Sequence, residues 1–271
     1  MINKIRQILH PRKLIKRKWV ESYGDYESKL KLGVIDRPHY GYCLYNAARL
    51  AVKLGYKRIS VVEFGVAGGN GLLNFEYHAG LVAKLLPIEF EIYGFDTGEG
   101  LPKPIDYRDL PYHWKEGFYK MDVKALEAKL TKAKLVLGNV SETIDSFYRT
   151  TRPAPIGAIS FDLDFYSSTK DAMRILQGMH SYLMPRIFTY FDDTIGSDLE
   201  LYTDFSGQRL AIHEFNRENE DIKVGFPYYL QHSEYGSWRD KIWVAHLFKH
   251  PDYNTFISDQ IQQLPLRAGQ G

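Results

Sequence analysis

The chain has 271 residues, 44% hydrophobic, 25% charged and 14% aromatic, with 22 Gly and 12 Pro, an ordinary globular composition that excludes collagen-like and disordered classes. A single cysteine, Cys43, excludes an internal disulfide and a cysteine-rich zinc site, and a length able to bury a large core without staples points to a reducing, cytoplasmic location. The net charge of +2 hides an asymmetry: residues 1–18 hold seven basic side chains and no acid, leaving 28 basic against 33 acidic residues, or −5, in the remainder.

That basic arm (Lys4, Arg6, Arg12, Lys13, Lys16, Arg17, Lys18) also spaces Ile2, Ile5, Ile8, Leu9, Leu14, Ile15 and Trp19 three to four apart. The spacing predicts short amphipathic helices broken at Pro11. Such an arm suits an anionic membrane surface or acidic partner, or packs on its own body or on a second copy in a homo-oligomer. No apolar run approaches the roughly 18 residues that span a bilayer, and Pro11 with the charges interrupts any signal-peptide core. A second helix is predicted over 40–54, where Leu44, Ala47, Ala48, Ala51 and Val52 form one stripe and Gly55 ends it. Residues 1–54 thus read as a basic arm and helical N-terminal cap.

From residue 55 the pattern alternates. Strands are predicted at 59–64, 89–95, 134–137, 156–161 and 187–191, and helices at 72–86, 122–133, near 142–148 and at 169–183. This alternation specifies an α/β protein with a mostly parallel sheet covered on both faces. A helix at 206–219 precedes two strand-like runs, 223–230 and 241–248, with no helix between them, an antiparallel hairpin across a polar loop.

The first strand empties into Glu63-Phe64-Gly65-Val66-Ala67-Gly68-Gly69-Asn70-Gly71. Glycines there allow positive φ and close backbone approach, and the helix N-terminus that follows favours a negative group. The second strand ends at Asp96, the position at which a carboxylate accepts hydrogen bonds from ribose hydroxyls. Together these predict a nucleoside-containing ligand. The turn is not the G-x-G-x-x-G of dinucleotide sites, because Ala67 holds the middle position and Glu63 stands two before the first glycine. A carboxylate there repels a pyrophosphate and suits the cationic amino-acid end of S-adenosylmethionine, which disfavours NAD.

Asp162 and Asp164 follow the fourth predicted strand, and Asp192 and Asp193 the fifth. In a parallel sheet both strand ends open on one edge, so these carboxylates converge and repel unless a cation neutralises them. All-oxygen ligands suit a hard divalent ion, Mg²⁺ first, which lowers the pKa of a bound hydroxyl. The structural alternative makes them helix caps and solvated loop acids.

In order, Val62-Glu63-Phe64-Gly65-Val66-Ala67-Gly68-Gly69, Phe95-Asp96-Thr97-Gly98-Glu99-Gly100-Leu101-Pro102, Leu137-Gly138-Asn139-Val140-Ser141-Glu142-Thr143, Asp162-Leu163-Asp164-Phe165-Tyr166-Ser167-Ser168-Thr169 and Asp192-Asp193 resemble the macrocin O-methyltransferase family over about residues 59–219. The resemblance implies a Rossmann-like class I methyltransferase fold with a seven-stranded sheet; residues 55–250 read as the catalytic domain and 251–271 as a tail to which the motifs assign no role. It also implies S-adenosylmethionine and Mg²⁺ as cofactors and a hydroxylated small-molecule or sugar acceptor. By matching position, Glu63, Gly65, Ala67 and Gly69 would line the methionine and ribose portion of the cofactor, Asp96 would hold the ribose, and Gly138, Asn139 and Val140 would border the adenine. Asp162, Asp192 and Asp193 match the metal-binding acids, with Asp162 also assisting deprotonation of the acceptor. The catechol-type lysine base is replaced by Phe165. The chain departs from the family in having Leu183-Met184-Pro185-Arg186, not a Gly-Gly turn, before the fifth strand, with a longer interval from Asp162 to Asp192.

Residues 102–120 form a long aromatic loop (Tyr107, Tyr112, His113, Trp114, Phe118, Tyr119) suited to a lid, with His113 a candidate second base. Arg37, His39 and Tyr40 are placed to close over the site from the N-terminal side. Tyr228, Tyr229, His232 and Trp238 read as packing or rim residues. Basic residues on an arm beside an acidic body argue against nucleic acid as the acceptor. The rival readings are metal-independent methyl transfer and a non-catalytic protein that retains the cofactor crevice.

Overall fold

The computed structural model describes residues 11–230 and 237–259. Three helices, α1 (Pro11–Tyr23), α2 (Tyr26–Leu32) and α3 (Pro38–Leu54), precede a sheet of seven strands. The strands are β1 (Arg58–Phe64), β2 (Glu89–Asp96), β3 (Lys134–Leu137), β4 (Ile156–Phe161), β5 (Leu183–Phe191), β6 (Ile222–Gly225) and β7 (Ile242–Leu247). Between them lie α4 (Asn70–Val82), α5 (Val123–Glu127), α6 (Val140–Thr151), α7 (Tyr166–Ala172) and α8 (Gly207–Glu218). Sheet order is β3-β2-β1-β4-β5-β7-β6. All neighbours pair in parallel except β7, which is antiparallel to both β5 and β6. The chain leaves β1 in one direction to β2 and returns on the other side to β4, so a crevice opens between them at the carboxyl ends.

The central strands are continuous apolar runs because helices cover both faces: every residue of β4, and Ile59 to Phe64 of β1, is buried. The cap is integral to this cover. Helix α3 turns Cys43, Leu44, Ala47, Ala48 and Ala51 inward, and it packs on β4, β5 and α4. Pro11 opens α1, where its missing N–H costs nothing. Val20 is buried and Arg17 donates to the carbonyl of Leu32 at 2.8 Å, while Ile15, Trp19 and Tyr23 face solvent. The expected helix before Pro11, His232 and the end of the tail lie outside the described residues. No described helix is long and apolar enough to cross a membrane.

A row of phenylalanines ends four neighbouring strands at one level. Phe64 pairs in register with Phe95 on β2 and Phe161 on β4, and Phe161 with Phe191 on β5. Their rings touch in sequence, with centroids 4.7, 5.4 and 4.5 Å apart. All four are essentially fully buried, each contributing about 2–3 kcal/mol by area. The next residues, Gly65, Asp96, Asp162 and Asp192, therefore emerge together on the sheet edge.

Three expectations are corrected. The helix predicted at 122–133 stops at Glu127, because the Glu76 carboxylate of α4 accepts from the backbone N–H groups of Thr131, Lys132 and Ala133 and draws the chain towards β3. The helix predicted at 169–183 begins at Tyr166, gives way to a 3₁₀ turn at Met173 and is finished by Gly178, where a Cβ would stand 2.5 Å from the Tyr148 ring. The strand predicted at 223–230 ends at Gly225, and Pro227 leads into a 3₁₀ turn over Tyr228–Leu230. The long interval before Asp192 is absorbed elsewhere. Leu183 faces Ile156, and the next recorded partners are Phe188 and Ala158, so the extra residues around Pro185 bulge at the far end of β5.

Candidate active site

A cavity of about 530 Å³ opens over the carboxyl ends of β1, β2, β4 and β5. The β1–α4 turn forms its floor. Gly65 and Gly69 both have φ 82°, and Ala67, a residue with a Cβ, is held at φ 45°. A Cβ on Gly65 would lie 1.6 Å from the carbonyl oxygen of Asp162, so only glycine lets this turn press against the end of β4. A Cβ on Gly71 would lie 1.8 Å from Glu63 Oε1. Gly71 thus leaves the space that the Glu63 carboxylate occupies.

Glu63 is buried, and burial first, then the charges of Asp162 and Asp96, raise its pKa well above the ordinary range against the pull of Tyr40 and Arg37. The Tyr40 hydroxyl donates to Oε1. Oε2 is buried without a partner among the described residues. A buried orphan acceptor on a cavity-lining side chain fits the ammonium of a methionine-like ligand.

Asp96 is anchored before any ligand arrives. Its Oδ2 accepts from the backbone N–H groups of Val66 and Ala67, both at 2.9 Å, and its Oδ1 accepts from Gly98 at 2.7 Å. It therefore fixes the glycine turn and keeps a lone pair for a hydroxyl. Gly138, with φ 131°, Asn139 and Val140 line the same cavity, where Asn139 caps α6 by accepting from Ser141 N at 3.0 Å.

Beyond the turn the acids separate into two groups. Asp162, Asp192 and Asp193 each bring one carboxylate oxygen within 4.8 Å of the others, close to the span of about 4.2 Å between opposite ligands of an octahedral Mg²⁺. Burial, then the charges of Asp192 and Asp164, push the Asp162 carboxyl up to about 8. Asp193 is raised by burial and by Asp164, Asp162 and Asp192. Asp192 goes the other way: burial raises it, but the Lys241 charge and the Tyr190 hydroxyl outweigh that and lower it. Lys241 Nζ lies 3.1 Å from Asp192 Oδ1, which also accepts from Tyr190 at 2.5 Å. An all-oxygen donor set of crowded, self-repelling carboxylates fits a hard divalent cation. Asp164 stands outside this cluster. It lines the cavity with φ 59°, and burial, then Asp192 and Glu200, push its carboxyl up to about 7.

The cavity's outer wall comes from Leu101, Pro102, Trp114, Tyr119 and Glu200. The 102–120 loop is pinned by Asp109, fully buried, whose carboxylate accepts from the N–H and hydroxyl of Ser167 at 2.8 and 2.9 Å. Trp114, Leu110 and Phe165 form a small apolar cluster beneath it. His113 packs edge-on against Trp114, with centroids 4.4 Å apart, and does not line the cavity. Phe165, at the catechol-type base position, has no titratable group and is fully buried in that cluster. On the N-terminal side Arg37 lines the cavity, whereas His39 stacks on Tyr190 at 4.3 Å, and burial pulls its pKa down to about 3. Tyr229 meets Tyr42 through their hydroxyls, and Trp238 packs on Tyr42 at 5.6 Å.

Lys241 and Gly71 were not singled out from sequence. Gly71 was visible as the last glycine of the turn. Lys241 lies 49 residues from Asp192 and carries no local signal.

No family model and no curated protein matches this sequence. Among solved structures, the calicheamicin methyltransferase CalS11 superposes with a TM-score of 0.51 at 19% identity, covering 87% of this chain and 91% of its own. The O-methyltransferase NovP superposes with a TM-score of 0.51 at 11% identity, covering 77% of this chain and 79% of its own. The fold is the class I methyltransferase fold implied by the sequence motifs: a seven-stranded, mostly parallel sheet closed by an antiparallel hairpin.

Proposed function

We infer that the chain is an S-adenosylmethionine-dependent O-methyltransferase acting on a hydroxyl of a small molecule, with a sugar as the favoured class. One observation carries this reading. A single cavity joins a glycine turn, an orphaned Glu63 oxygen and the Asp96 carboxylate to a three-acid cluster able to hold a cation. The likeness to a calicheamicin methyltransferase and to the O-methyltransferase NovP supports it.

Asp162, Asp192 and Asp193 would hold the divalent cation. When bound, the two groups supply an electrophilic methyl and a positive charge that makes an acceptor hydroxyl more acidic. The chain's own residues do the rest. Glu63 and the glycine turn orient the methionine end, and Asp96 the ribose. Trp114 and Tyr119, which line the cavity, would pack against a sugar ring and exclude water. With Asp162 committed to the cation, Asp164, the cavity-lining carboxylate outside the three-acid cluster, would take the hydroxyl proton. With both reactants held in line, positioning and charge stabilisation account for the rate, and no covalent enzyme intermediate is required.

Calorimetry of S-adenosylhomocysteine with and without Mg²⁺, repeated on Asp192→Ala, tests cofactor and metal separately. The expected result is nucleoside binding by both proteins and a Mg²⁺ response in the wild type alone. Absence of any nucleoside binding would sink the enzyme reading, and identical behaviour with and without Mg²⁺ would sink the metal.

A further inference from the structure

The cavity is crowded with carboxylates (Glu63, Asp96, Asp162, Asp164, Asp192, Asp193 and Glu200), yet Arg37 is its single cationic lining residue among the described ones. The Arg37 side chain forms no hydrogen bond or ion pair among the described residues, and its guanidinium sits only over the Tyr40 ring, 5.6 Å from the centroid. A half-buried guanidinium without a carboxylate partner amid so many keeps its donors for an anionic group.

The local fold is organised to present it. Arg37 is a residue with a Cβ at φ 36°, in the left-handed region, directly before Pro38 at the start of α3. The Asp36 carboxylate secures the preceding turn, accepting from Arg37 N at 3.1 Å and from Asn74 Nδ2 at 2.7 Å. Fully buried His78 on α4 completes the clamp. The Asp36 carbonyl can only accept, so His78 Nε2–H donates to it at 3.0 Å, and Nδ1 accepts from the Tyr26 hydroxyl at 2.8 Å. Gly41 makes room for that ring, since a Cβ there would lie 2.6 Å from His78 Cε1.

The methionine end of the cofactor carries an ammonium and a carboxylate on one carbon. If the orphaned Glu63 oxygen takes the ammonium, the carboxylate falls within a few ångströms of Glu63 and needs a cation. Arg37 acts electrostatically on Glu63 and on Asp162. Asn70 and Gly71, at the α4 N-terminus with no side-chain cap, line the same corner. We propose that Arg37 is the carboxylate-binding residue of the cofactor site, pairing with the methionine carboxylate while Glu63 holds the ammonium. This rests on the methyltransferase reading above.

The test is calorimetry on the full chain with two probes: S-adenosylhomocysteine, and its decarboxylated analogue, which keeps the ammonium and lacks the carboxylate. Wild type should bind the first about 10- to 100-fold more tightly, the range expected for a charge-assisted pair. Arg37→Gly, which accepts the left-handed backbone without strain, should lose that preference and bind the decarboxylated analogue within about twofold of wild type. Arg37→Lys should recover part of the preference. Equal weakening of both probes in Arg37→Gly, or a wild type that does not distinguish them, would overturn the proposal while leaving the methyltransferase reading in place. A wild type that binds neither probe would overturn both.

Discussion

At Gly65 two constraints coincide, a φ of 82° and a Cβ position 1.6 Å from the Asp162 carbonyl oxygen. Gly68, three residues on in the same turn, has neither: its φ is not positive, and nothing lies within 4 Å of a Cβ built there. Gly65→Ala should therefore cost more than about 2 kcal/mol and Gly68→Ala less than about 1 in urea denaturation. Equal losses would show that the turn does not press on β4. The same contrast explains what could be read at this scale. Glycines and carboxylates at strand ends, Gly65, Asp96 and Asp162, announce themselves in the sequence. Lys241 does not, because its role depends on β7 lying antiparallel beside β5, a pairing no local pattern encodes.

Among the elements, the junction of α2, α3 and α4 turns on His78. Burial pulls its imidazole pKa down to about 4, against about 6.5 in an unfolded chain. The folded state refuses a proton that the unfolded state accepts. This contribution is complete above about pH 6.5 and is lost as pH falls towards about 4. Wild type should lose up to about 3 kcal/mol more than His78→Gln between pH 7 and pH 4, read from urea midpoints at each pH. Parallel pH profiles for the two proteins would remove His78 from the account. Element existence was legible wherever a β-branched run met glycine, and β3 and β4 begin and end where the sequence places them. Boundaries failed where a distant side chain decided them. Glu76 ends α5 by capping the N–H groups of Thr131 to Ala133, and the bulge opposite Ile156 lets β5 begin at Leu183. Periodicity sees neither.

Across the whole molecule the acidic body and its cavity are one electrostatic problem. Three carboxylates converge within 4.8 Å, and Lys241 offsets only part of their repulsion, through Asp192. The folded chain without a cation is thus less stable than its packing alone would make it, and a cation that binds only the folded state returns RT ln(1 + [L]/Kd), about 2.7 kcal/mol at a hundredfold excess over Kd. Asp162→Asn separates these effects, because the Asp162 side chain makes no hydrogen bond among the described residues while its charge is felt throughout the cluster. In EDTA the variant should melt at or above wild type, because wild type must either bind a proton at buried Asp162 or hold a repelling charge there, and the amide does neither. In excess Mg²⁺ the order should reverse, wild type rising by several degrees and the variant staying where it was. A melting temperature that ignores Mg²⁺ in both proteins would leave the acids as a self-contained cluster neutralised by protons and Lys241, and would favour methyl transfer that relies on Asp164 and positioning alone.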